Sequence, residues 1–136
     1  MPTPKEIVDT MMAKDYFSQW LGIEILEAKE GSSKLQMTVR EEMLNGFGIA
    51  HGGITYSFAD SALAFASNSH GQKAVSVETS ISHTISLKVG DIIIAEATEE
   101  HCSNKIGIYA IRIYNASDNS VVALFKGTVY RTSKTW

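Results

Sequence analysis

Two kinds of hydrophobic spacing divide the chain into predicted elements. Between Ile54 and Ser69 apolar residues recur every three or four positions, and this spacing predicts one long helix over about residues 53–69. The other segments are rich in Ile, Val, Thr and Tyr and are separated by turn residues, as is typical of strands. About six strands are predicted, over residues 22–29, 34–40, 74–88, 91–100, 105–115 and 121–131. We expect antiparallel strands in sequence order, the first two forming a hairpin.

The residues before the first strand predict a helix as well. Ile7, Met11 and Trp20 have the spacing of one face of a short N-terminal helix within about residues 4–20. A long helix among about six strands can bury its apolar side chains only if the sheet wraps around it. The fold class is therefore α+β.

The strand over residues 105–115 is apolar on both of its faces. Ile106 and Ile108 alternate with Tyr109 and Ile111, whereas a single helix can cover only one face of a sheet. We therefore expect the second face to meet another subunit.

Length and composition narrow the class of protein. A chain of 136 residues suits one domain, residues 1–136, whose core needs no disulfide or metal. The net charge is −3 and the basic residues are scattered, so no nucleic-acid partner is expected. The single Cys102 suits a reducing compartment. Acidic residues near the N-terminus and the lack of any run of roughly 18 apolar residues predict a cytoplasmic protein without an export signal or membrane partner.

The segment from Asn45 to Asp60 contains the candidate chemistry. Gly52-Gly53 permits a tight turn and a close ligand approach where the predicted helix begins, and N–H groups are unpaired at a helix start. Asp60 falls in mid-helix, where Asp is unfavourable. An N–H group that polarises a carbonyl and a carboxylate that activates water or attacks are the parts of an acyl-transfer site. The alternative is a plain glycine turn with a carboxylate bonded to a neighbouring hydroxyl.

The spacing of these two groups has a consequence for assembly. A helix rises about 1.5 Å per residue, so Asp60 lies roughly 12 Å along the axis from Gly52. One chain cannot direct both groups at the same carbonyl. An antiparallel pairing of two such helices would bring Asp60 of one chain to Gly52 of the other, and function would then require a dimer.

The motif His51-Gly52-Gly53, followed by Asp60 and by Asn68-Ser69-His70-Gly71, resembles that of hotdog-fold acyl-CoA thioesterases, in particular the phenylacetic-acid-degradation (PaaI-like) thioesterase family. The resemblance extends over most of the chain and is strongest in the helix. It implies a hotdog fold, in which a curved antiparallel sheet wraps one long helix. It also implies a homodimer with a continuous sheet, and a homotetramer formed by two dimers.

The resemblance also implies roles for residues of the motif. Asp60 would be the catalytic carboxylate, and the Gly52 amide would hold the thioester oxygen. His51 and Asn45 would shape the same pocket. For His51 the alternative is a ring that hydrogen-bonds the loop and fixes the glycines, and for Asn45 it is a role in the turn before Gly46.

A coenzyme A site is implied along one strand and one hairpin. The candidate contacts are Ser82, His83, Thr84, Asn104 and Lys105. The family often has Arg-Pro where this chain has Ile85-Ser86, so one expected basic contact is missing. Lys88, Lys126 and Arg131 are alternative partners for the phosphates.

No metal and no separate cofactor are expected, because coenzyme A is part of the substrate and the other histidines lack metal-ligand spacing. Cys102 lies in a predicted turn without a motif that would make it a nucleophile.

The leading functional hypothesis is hydrolysis of an acyl-CoA thioester, with a phenylacetyl-type or a short to medium acyl group. Phe47, Tyr56 and Phe58 are candidates for an aromatic acyl pocket, although Phe47 and Phe58 also fit a core role. One alternative is a hydratase or dehydratase that acts on an acyl thioester. The other is a non-catalytic acyl-CoA-binding regulatory module.

Overall fold

The computed structural model describes residues 1–136 and contains three α-helices, one 3₁₀ turn and six strands. The helices are α1 (Pro4–Met12), α2 (Tyr16–Leu21) and α3 (Gly52–Asn68), and the 3₁₀ turn covers Glu41–Met43. The strands are β1 (Glu24–Lys29), β2 (Ser32–Thr38), β3 (Gln72–His83), β4 (Ile92–Cys102), β5 (Ile106–Asn115) and β6 (Val121–Thr135). None of the helices combines the length and the apolarity needed to cross a membrane.

The six strands form one antiparallel sheet, as predicted, but their spatial order differs from the sequence order. The order is β1-β2-β4-β5-β6-β3, so β3 lies at an edge and pairs only with β6. The expectation of sequence order was therefore wrong for β3. The reason is that α3 follows β2 and crosses the sheet, which delivers the next strand to the opposite edge and leaves β2 to pair with β4.

The helix α3 is the centre of the core. Phe58, Ala62 and Phe65 are fully buried and lie on the side that packs against the sheet. The close approach of helix and sheet requires a glycine in β6, because a Cβ atom at Gly127 would lie 2.5 Å from a methyl carbon of Leu63. Burial of each phenylalanine side chain contributes about 1.5–3 kcal/mol. The position of α3, and hence of Gly52 at its start, is fixed by this packing.

The N-terminal segment forms two helices rather than the one that was predicted. The first helix ends at Met12, and Asp15 caps the second helix by accepting a hydrogen bond from the Ser18 N–H at 3.0 Å. Gly22 ends that helix with a φ of 74°, a left-handed conformation that glycine adopts without a steric penalty. A capping residue inside the periodic segment therefore starts a second helix shortly after the first has ended.

The strand β3 ends at His83, earlier than the predicted boundary at residue 88. The Thr84 N–H still donates to the Val122 carbonyl at 2.9 Å, but the chain then leaves the sheet. It passes beside the segment before α3, where the Ala50 N–H donates to the Leu87 carbonyl at 2.8 Å. This departure brings residues 83–87 alongside the start of α3.

The two faces of the sheet differ in exposure. Along β5, Tyr109, Ile111 and Ile113 are buried beneath the helix. On the opposite face Ile106 and Leu124 are exposed, at 36% and 47% of their accessible surface. The outer face thus presents apolar side chains to its surroundings.

Candidate active site

The first turn of α3 is organised by His51, the residue that caps it. His51 has an extended backbone with φ −60° and ψ 138°, and its carbonyl accepts from the Ile54 N–H at 2.9 Å. Its ring nitrogen Nδ1 accepts from the Gly53 N–H at 2.8 Å. Two of the donors at the helix start are therefore satisfied by a single residue. This contact corresponds to the glycine-fixing interpretation of His51.

The N–H group of Gly52 remains available at the same helix start. As the first residue of α3, Gly52 has no intrahelical acceptor for its N–H, and no side chain accepts from it. The partial positive charge of a helix N-terminus lies at this position. A donor that is unpaired, fixed by a helix and next to a cleft is suited to bind a carbonyl oxygen.

A cleft of about 300 Å³ opens beside Gly52. It is bounded on one side by the loop before α3 and the first turn of that helix, and on the other by the segment that leaves β3. The lining residues are Asn45, Ile49, Ala50, Gly52, Thr55, His83, Thr84, Ile85, Ser86 and Leu87. The structure thus brings Asn45 and Gly52 together with two predicted coenzyme A contacts, His83 and Thr84.

Asn45 shapes the loop that forms one wall of this cleft. Its Oδ1 accepts from the Phe47 N–H at 2.9 Å and from the Ile49 N–H at 3.4 Å, and its own N–H donates to the Ile49 carbonyl. These bonds close a turn, as short amide side chains commonly do. The Nδ2 amide group of Asn45 takes part in none of these bonds and is available to a ligand.

Asp60 lies in the middle of α3, two turns beyond Gly52, and does not line the cleft. It is partly buried and its carboxylate accepts no hydrogen bond from the chain. Burial raises the pKa of this carboxyl above its ordinary value, and the negative charge of Asp15 raises it further. A carboxylate without partners and with a raised pKa is a stronger base than an ordinary aspartate.

Comparison with known proteins places the chain in a family. The sequence model of the thioesterase superfamily matches residues 47–122, which contain α3, β3, β4 and β5. The chain belongs to the thioesterase superfamily. It is accordingly a thioester hydrolase, as the sequence motif predicted.

Two similar proteins and the solved structure of one of them support this assignment. A protein of Archaeoglobus fulgidus named "Putative esterase" is 41% identical over 96% of this chain and 84% of its own length. The acyl-coenzyme A thioesterase PaaI of Escherichia coli is 38% identical over 92% of this chain and 89% of its own length. The solved structure of the E. coli PaaI protein, from the phenylacetic acid degradation operon, has a TM-score of 0.94, covering 97% of this chain and 95% of that one, at 36% identity. The predicted PaaI-like resemblance and hotdog fold are confirmed.

The three aromatic residues suggested for the acyl pocket of the thioesterase have different environments. Phe58 is fully buried in the core, so it takes the core role. Phe47 is 90% exposed at the tip of the loop before α3. Tyr56 packs edge-on against Phe125 with ring centroids 5.4 Å apart, and its hydroxyl hydrogen-bonds Thr79. Tyr56 is the one of the three that joins the helix to β3.

The remaining coenzyme A candidates of the thioesterase are divided between two places. Thr84 lies in the cleft, while Ser82 is exposed on β3 beside it. Asn104 and Lys105 lie in the turn between β4 and β5 and do not line the cleft. Within one chain, therefore, the predicted contacts do not form a single continuous patch.

A contact that sequence reasoning missed lies at the base of the cleft. His83 Nε2 is 2.6 Å from the Thr55 hydroxyl, which donates to the Gly52 carbonyl at 3.0 Å. Thr55 was not a candidate, because a threonine in the first turn of a helix has no distinctive spacing. Only a partial signal of this contact is present in the sequence. The Gly52-Gly53 pair lacks side chains and so leaves room for a ring beside it.

A second polar cluster lies at the far end of α3. His70, Glu99 and Cys102 bring atoms of metal-ligand type within 4.8 Å of one another, a grouping that their sequence spacing did not indicate. Glu99 accepts from the Tyr109 hydroxyl at 2.6 Å and contacts His70 Nε2 at 2.6 Å. Burial alone would raise the pKa of Glu99, but the hydrogen bonds from Tyr109 and His70 lower it below its ordinary value. The Glu99 carboxylate is therefore already hydrogen-bonded within the cluster.

Cys102 is not activated in this cluster. Burial and the nearby Glu99 carboxylate raise the pKa of the thiol above its ordinary value. A raised pKa keeps a thiol protonated at neutral pH, whereas a nucleophilic cysteine needs the thiolate. This environment does not favour nucleophilic chemistry at Cys102.

Proposed function

We propose that this thioesterase hydrolyses acyl-CoA thioesters, with the Gly52 N–H as oxyanion donor and Asp60 as general base or nucleophile. The observation that carries the proposal is the unpaired N–H of Gly52, a residue that lines the cleft, while His51 satisfies the neighbouring donors. The acyl-CoA substrate class is supported by the 38% identical E. coli relative that bears that name. No metal or separate cofactor is required by this chemistry.

The reaction begins when the thioester carbonyl oxygen accepts a hydrogen bond from the Gly52 N–H. Asp60 then removes a proton from a water molecule, whose oxygen attacks the carbonyl carbon and gives a tetrahedral oxyanion. The carbon–sulfur bond breaks when the carbonyl reforms, and the thiol leaves with the proton that Asp60 had taken. In the alternative route, the Asp60 carboxylate attacks the carbonyl carbon, and the carbon–sulfur bond breaks to release the thiolate, which takes a proton from solvent. Water then hydrolyses the resulting anhydride and regenerates the Asp60 carboxylate and the free acid.

Both routes require Asp60 and Gly52 of different chains. The two residues lie two turns apart on one rigid helix, and only Gly52 borders the cleft. We therefore propose a homodimer in which α3 of one subunit lies antiparallel to α3 of its partner, with two equivalent sites. The free edge of β3 supports this assembly, since its unpaired backbone groups can continue the sheet. The exposed apolar outer face is the proposed contact of two dimers in a tetramer.

The acyl group is proposed to be of the phenylacetyl type, with short or medium aliphatic groups as further substrates. Tyr56 supports this preference, because its ring lies on the sheet-facing side of the helix segment between Gly52 and Asp60. His51, Asn45 and Thr84 would border the thioester and pantetheine, and Ser82, Asn104 and Lys105 would bind the nucleotide. A place in phenylacetic acid degradation and a cytoplasmic location belong to the same proposal.

A proline substitution tests the oxyanion donor directly. Gly52→Pro removes the N–H group, and proline suits the first position of a helix, preceded here by a residue with extended backbone. Gly52→Ala is the matched control, because it also adds a Cβ atom but keeps the donor. Loss of one oxyanion donor is expected to lower kcat by roughly 10²–10³-fold. Equal kcat values in the two variants would remove Gly52 N–H from the mechanism.

The substrate class is tested by thiol release from phenylacetyl-, hydroxyphenylacetyl-, benzoyl-, acetyl-, hexanoyl- and palmitoyl-CoA, with Asp60→Ala in parallel. We expect release that the substitution abolishes, with phenylacetyl-type substrates preferred. A strong preference for hexanoyl-CoA would contradict the proposed acyl group. Binding of every substrate without release would contradict the proposed hydrolysis of acyl-CoA.

Subunit mixing tests the shared site. Asp60→Ala and Gly52→Pro chains are each expected to be inactive alone, but a mixed dimer would contain one site with both native residues. Random mixing should restore roughly a quarter of the native activity, since half of the dimers are mixed and each has one intact site. No recovery in dimers shown to be mixed would mean that both groups act within one chain.

A further inference from the structure

A chain of hydrogen bonds runs beneath the proposed oxyanion site, from the end of β3 to the first turn of α3. His83 Nε2 lies 2.6 Å from Thr55 Oγ1, and Thr55 Oγ1 lies 3.0 Å from the Gly52 carbonyl oxygen. All three residues border the cleft. The chain of bonds therefore connects a ring on the sheet to the carbonyl of Gly52, the residue whose N–H is the proposed oxyanion donor.

The direction of these bonds follows from the proton inventory. A threonine hydroxyl has one proton, and a carbonyl oxygen can only accept. Because Thr55 donates its proton to the Gly52 carbonyl, its oxygen must accept from His83. His83 therefore carries a hydrogen on Nε2, and in the neutral ring Nδ1 is left without one.

The His83 ring also occupies the space beside Gly52 that a side chain would fill. A Cβ atom at Gly52 would lie 3.3 Å from His83 Cε1, closer than most such contacts in proteins. Glycine is thus favoured at this position by the ring, which would have to shift by a few tenths of an ångström to admit a Cβ atom, and not by an unusual backbone angle. Without a ring or a hydroxyl to restrain it, a glycine at a helix start has more freedom than any other residue.

We propose that His83 is a positioning residue for the oxyanion donor, acting through Thr55 to fix the orientation of the Gly52 N–H. This inference rests on the proposed role of Gly52. An oxyanion donor is effective only if its direction is fixed before the reaction, within roughly 0.5 Å of the productive geometry. The hydroxyl restrains the carbonyl side of Gly52 and the ring restrains its open face. Together they limit rotation of the N–H away from the cleft.

This role differs from the coenzyme A contact that was predicted for His83. A residue that binds only the coenzyme contributes equally to the bound substrate and the transition state, so its loss raises KM and leaves kcat unchanged. Loss of a positioning residue lowers kcat, because the donor is most needed when charge develops on the carbonyl oxygen. A substitution of His83 therefore distinguishes the two roles: a change in kcat indicates positioning, and a change in KM alone indicates coenzyme binding.

The kinetic test uses two pairs of variants. Thr55→Val keeps the shape and removes the hydroxyl, while Thr55→Ser keeps the hydroxyl. His83→Ala removes the ring, while His83→Gln retains a side-chain N–H that can donate to Thr55. We expect Thr55→Val and His83→Ala to lower kcat roughly three- to tenfold with little change in KM, as loss of one hydrogen bond allows. The serine and glutamine variants should recover most of that loss, whereas an effect confined to KM would overturn the inference.

A spectroscopic test is independent of turnover. The ¹⁵N resonances of His83 in the native protein should show hydrogen on Nε2, and the Gly52 amide resonance should shift in Thr55→Val but not in Thr55→Ser. Hydrogen on Nδ1 alone, or an unmoved Gly52 resonance, would overturn the inference even if hydrolysis is normal. Shifts as expected in a protein that hydrolyses no thioester would support the positioning and contradict the proposed function instead.

A double substitution tests the contact between the ring and Gly52. Gly52→Ala in the native background places a Cβ atom against the ring, and the same change in His83→Ala does not. The alanine at position 52 should therefore cost less activity in the double variant than in the native protein. Strictly additive effects would show that the ring does not restrain this residue.

Discussion

The two ends of α3 differ in how many of their polar groups have hydrogen-bond partners within the chain. At the first turn, the Gly52 N–H has no partner in the chain, and Gly52 lines an open cleft. At the last turn, Asn68 donates to the carbonyls of Ala64 and Ala74, and accepts from the Ala74 N–H and from Trp136 Nε1. Asn68 is 2% exposed, and every polar atom of its side chain is used.

The neighbouring serine at the last turn is satisfied as well. Ser69 donates to the Ala66 carbonyl at 2.6 Å and accepts from the Gly31 N–H at 2.8 Å, which joins the helix to the turn between β1 and β2. Both ends contributed residues to the motif that resembles the thioesterases. The difference teaches that the paired end holds the fold together, while the unpaired end leaves a donor free for the ligand that we propose.

The largest effect is expected from a substitution of Asp60, whose carboxylate, like the Gly52 N–H, has no hydrogen-bond partner in the chain. Asp60→Asn keeps the size of the side chain and removes its basicity. Turnover is expected to fall by about 10²–10⁴-fold, because a general base contributes this much. Steady-state thiol release measures it, with unchanged circular dichroism as the control for folding. Hydrolysis at near-native rate would remove Asp60 from the mechanism.

The same substitution should stabilise the protein at neutral pH. Burial and Asp15 raise the pKa of Asp60 in the folded state, so its ionisation opposes folding as pH rises through that pKa. Asp60→Asn removes this penalty. We expect a higher Tm than that of the native protein at pH 7. The difference should shrink as pH falls from the raised folded-state pKa towards the unfolded pKa of about 4, and it should be absent below that. A lower Tm at pH 7 would contradict the interpretation that ionisation of Asp60 opposes folding.

At the other end of the helix, the expected effect is on stability and not on rate. Asn68→Ala leaves the Ala74 N–H and the Trp136 Nε1–H without their acceptor in a buried site. The free energy of unfolding should fall by roughly 2–4 kcal/mol, since each buried unsatisfied group costs about 1–3 kcal/mol. Denaturant unfolding measures this loss, and kcat at a temperature where the variant is folded should be native. A large fall in kcat there would break the comparison.

A smaller loss of stability is expected from substitution of His51. The same variants distinguish a role in fixing the glycines from a contact with the substrate. His51→Ala removes the acceptor of the Gly53 N–H and should cost about 1 kcal/mol in stability, as helix N-caps do. His51→Asn restores a capping acceptor without the ring. If His51 only fixes the glycines, the asparagine variant should regain most of the stability and activity. If it regains stability alone, the ring contacts the substrate.

The smallest expected effect is a shift in the pH dependence of the rate when the charge of Asp15 near Asp60 is removed. Deprotonated Asp60 is the active form, so the rate falls as pH drops through its raised pKa. Asp15→Asn removes a negative charge that raises this pKa and retains a side chain able to cap α2. The acid limb of the kcat/KM profile should therefore move to lower pH. An unmoved limb would mean that burial alone sets the pKa of Asp60.

Local patterns predicted much of the fold. The apolar spacing placed the long helix at residues 53–69, and the structure has it at Gly52–Asn68. Alternation located β4, β5 and β6 within a few residues, because each strand has one face in the core. The edge position of β3 was not predictable in this way, since pairing between distant segments leaves no periodic signal in either.

The candidate site was predictable to the extent that it lies in one segment. Gly52, His51 and Asn45 were found because a helix start with glycines has recognisable chemistry. Thr55 and the donor role of His83 toward it were missed, because the contact joins the helix to a strand 28 positions further along the chain. Only the folded arrangement shows that the ring fills the space that Gly52 leaves open.

The edge position of β3 also affects the order in which the protein can be assembled during synthesis. β3 emerges from the ribosome before its only partner in the chain, β6, and β4 and β5 must be made in between. Val75 and Val77 of β3 are 58% and 61% exposed even in the finished sheet. A nascent chain without β6 therefore presents a long strand with two open edges and two exposed valines, a form prone to aggregation until β6 has been made.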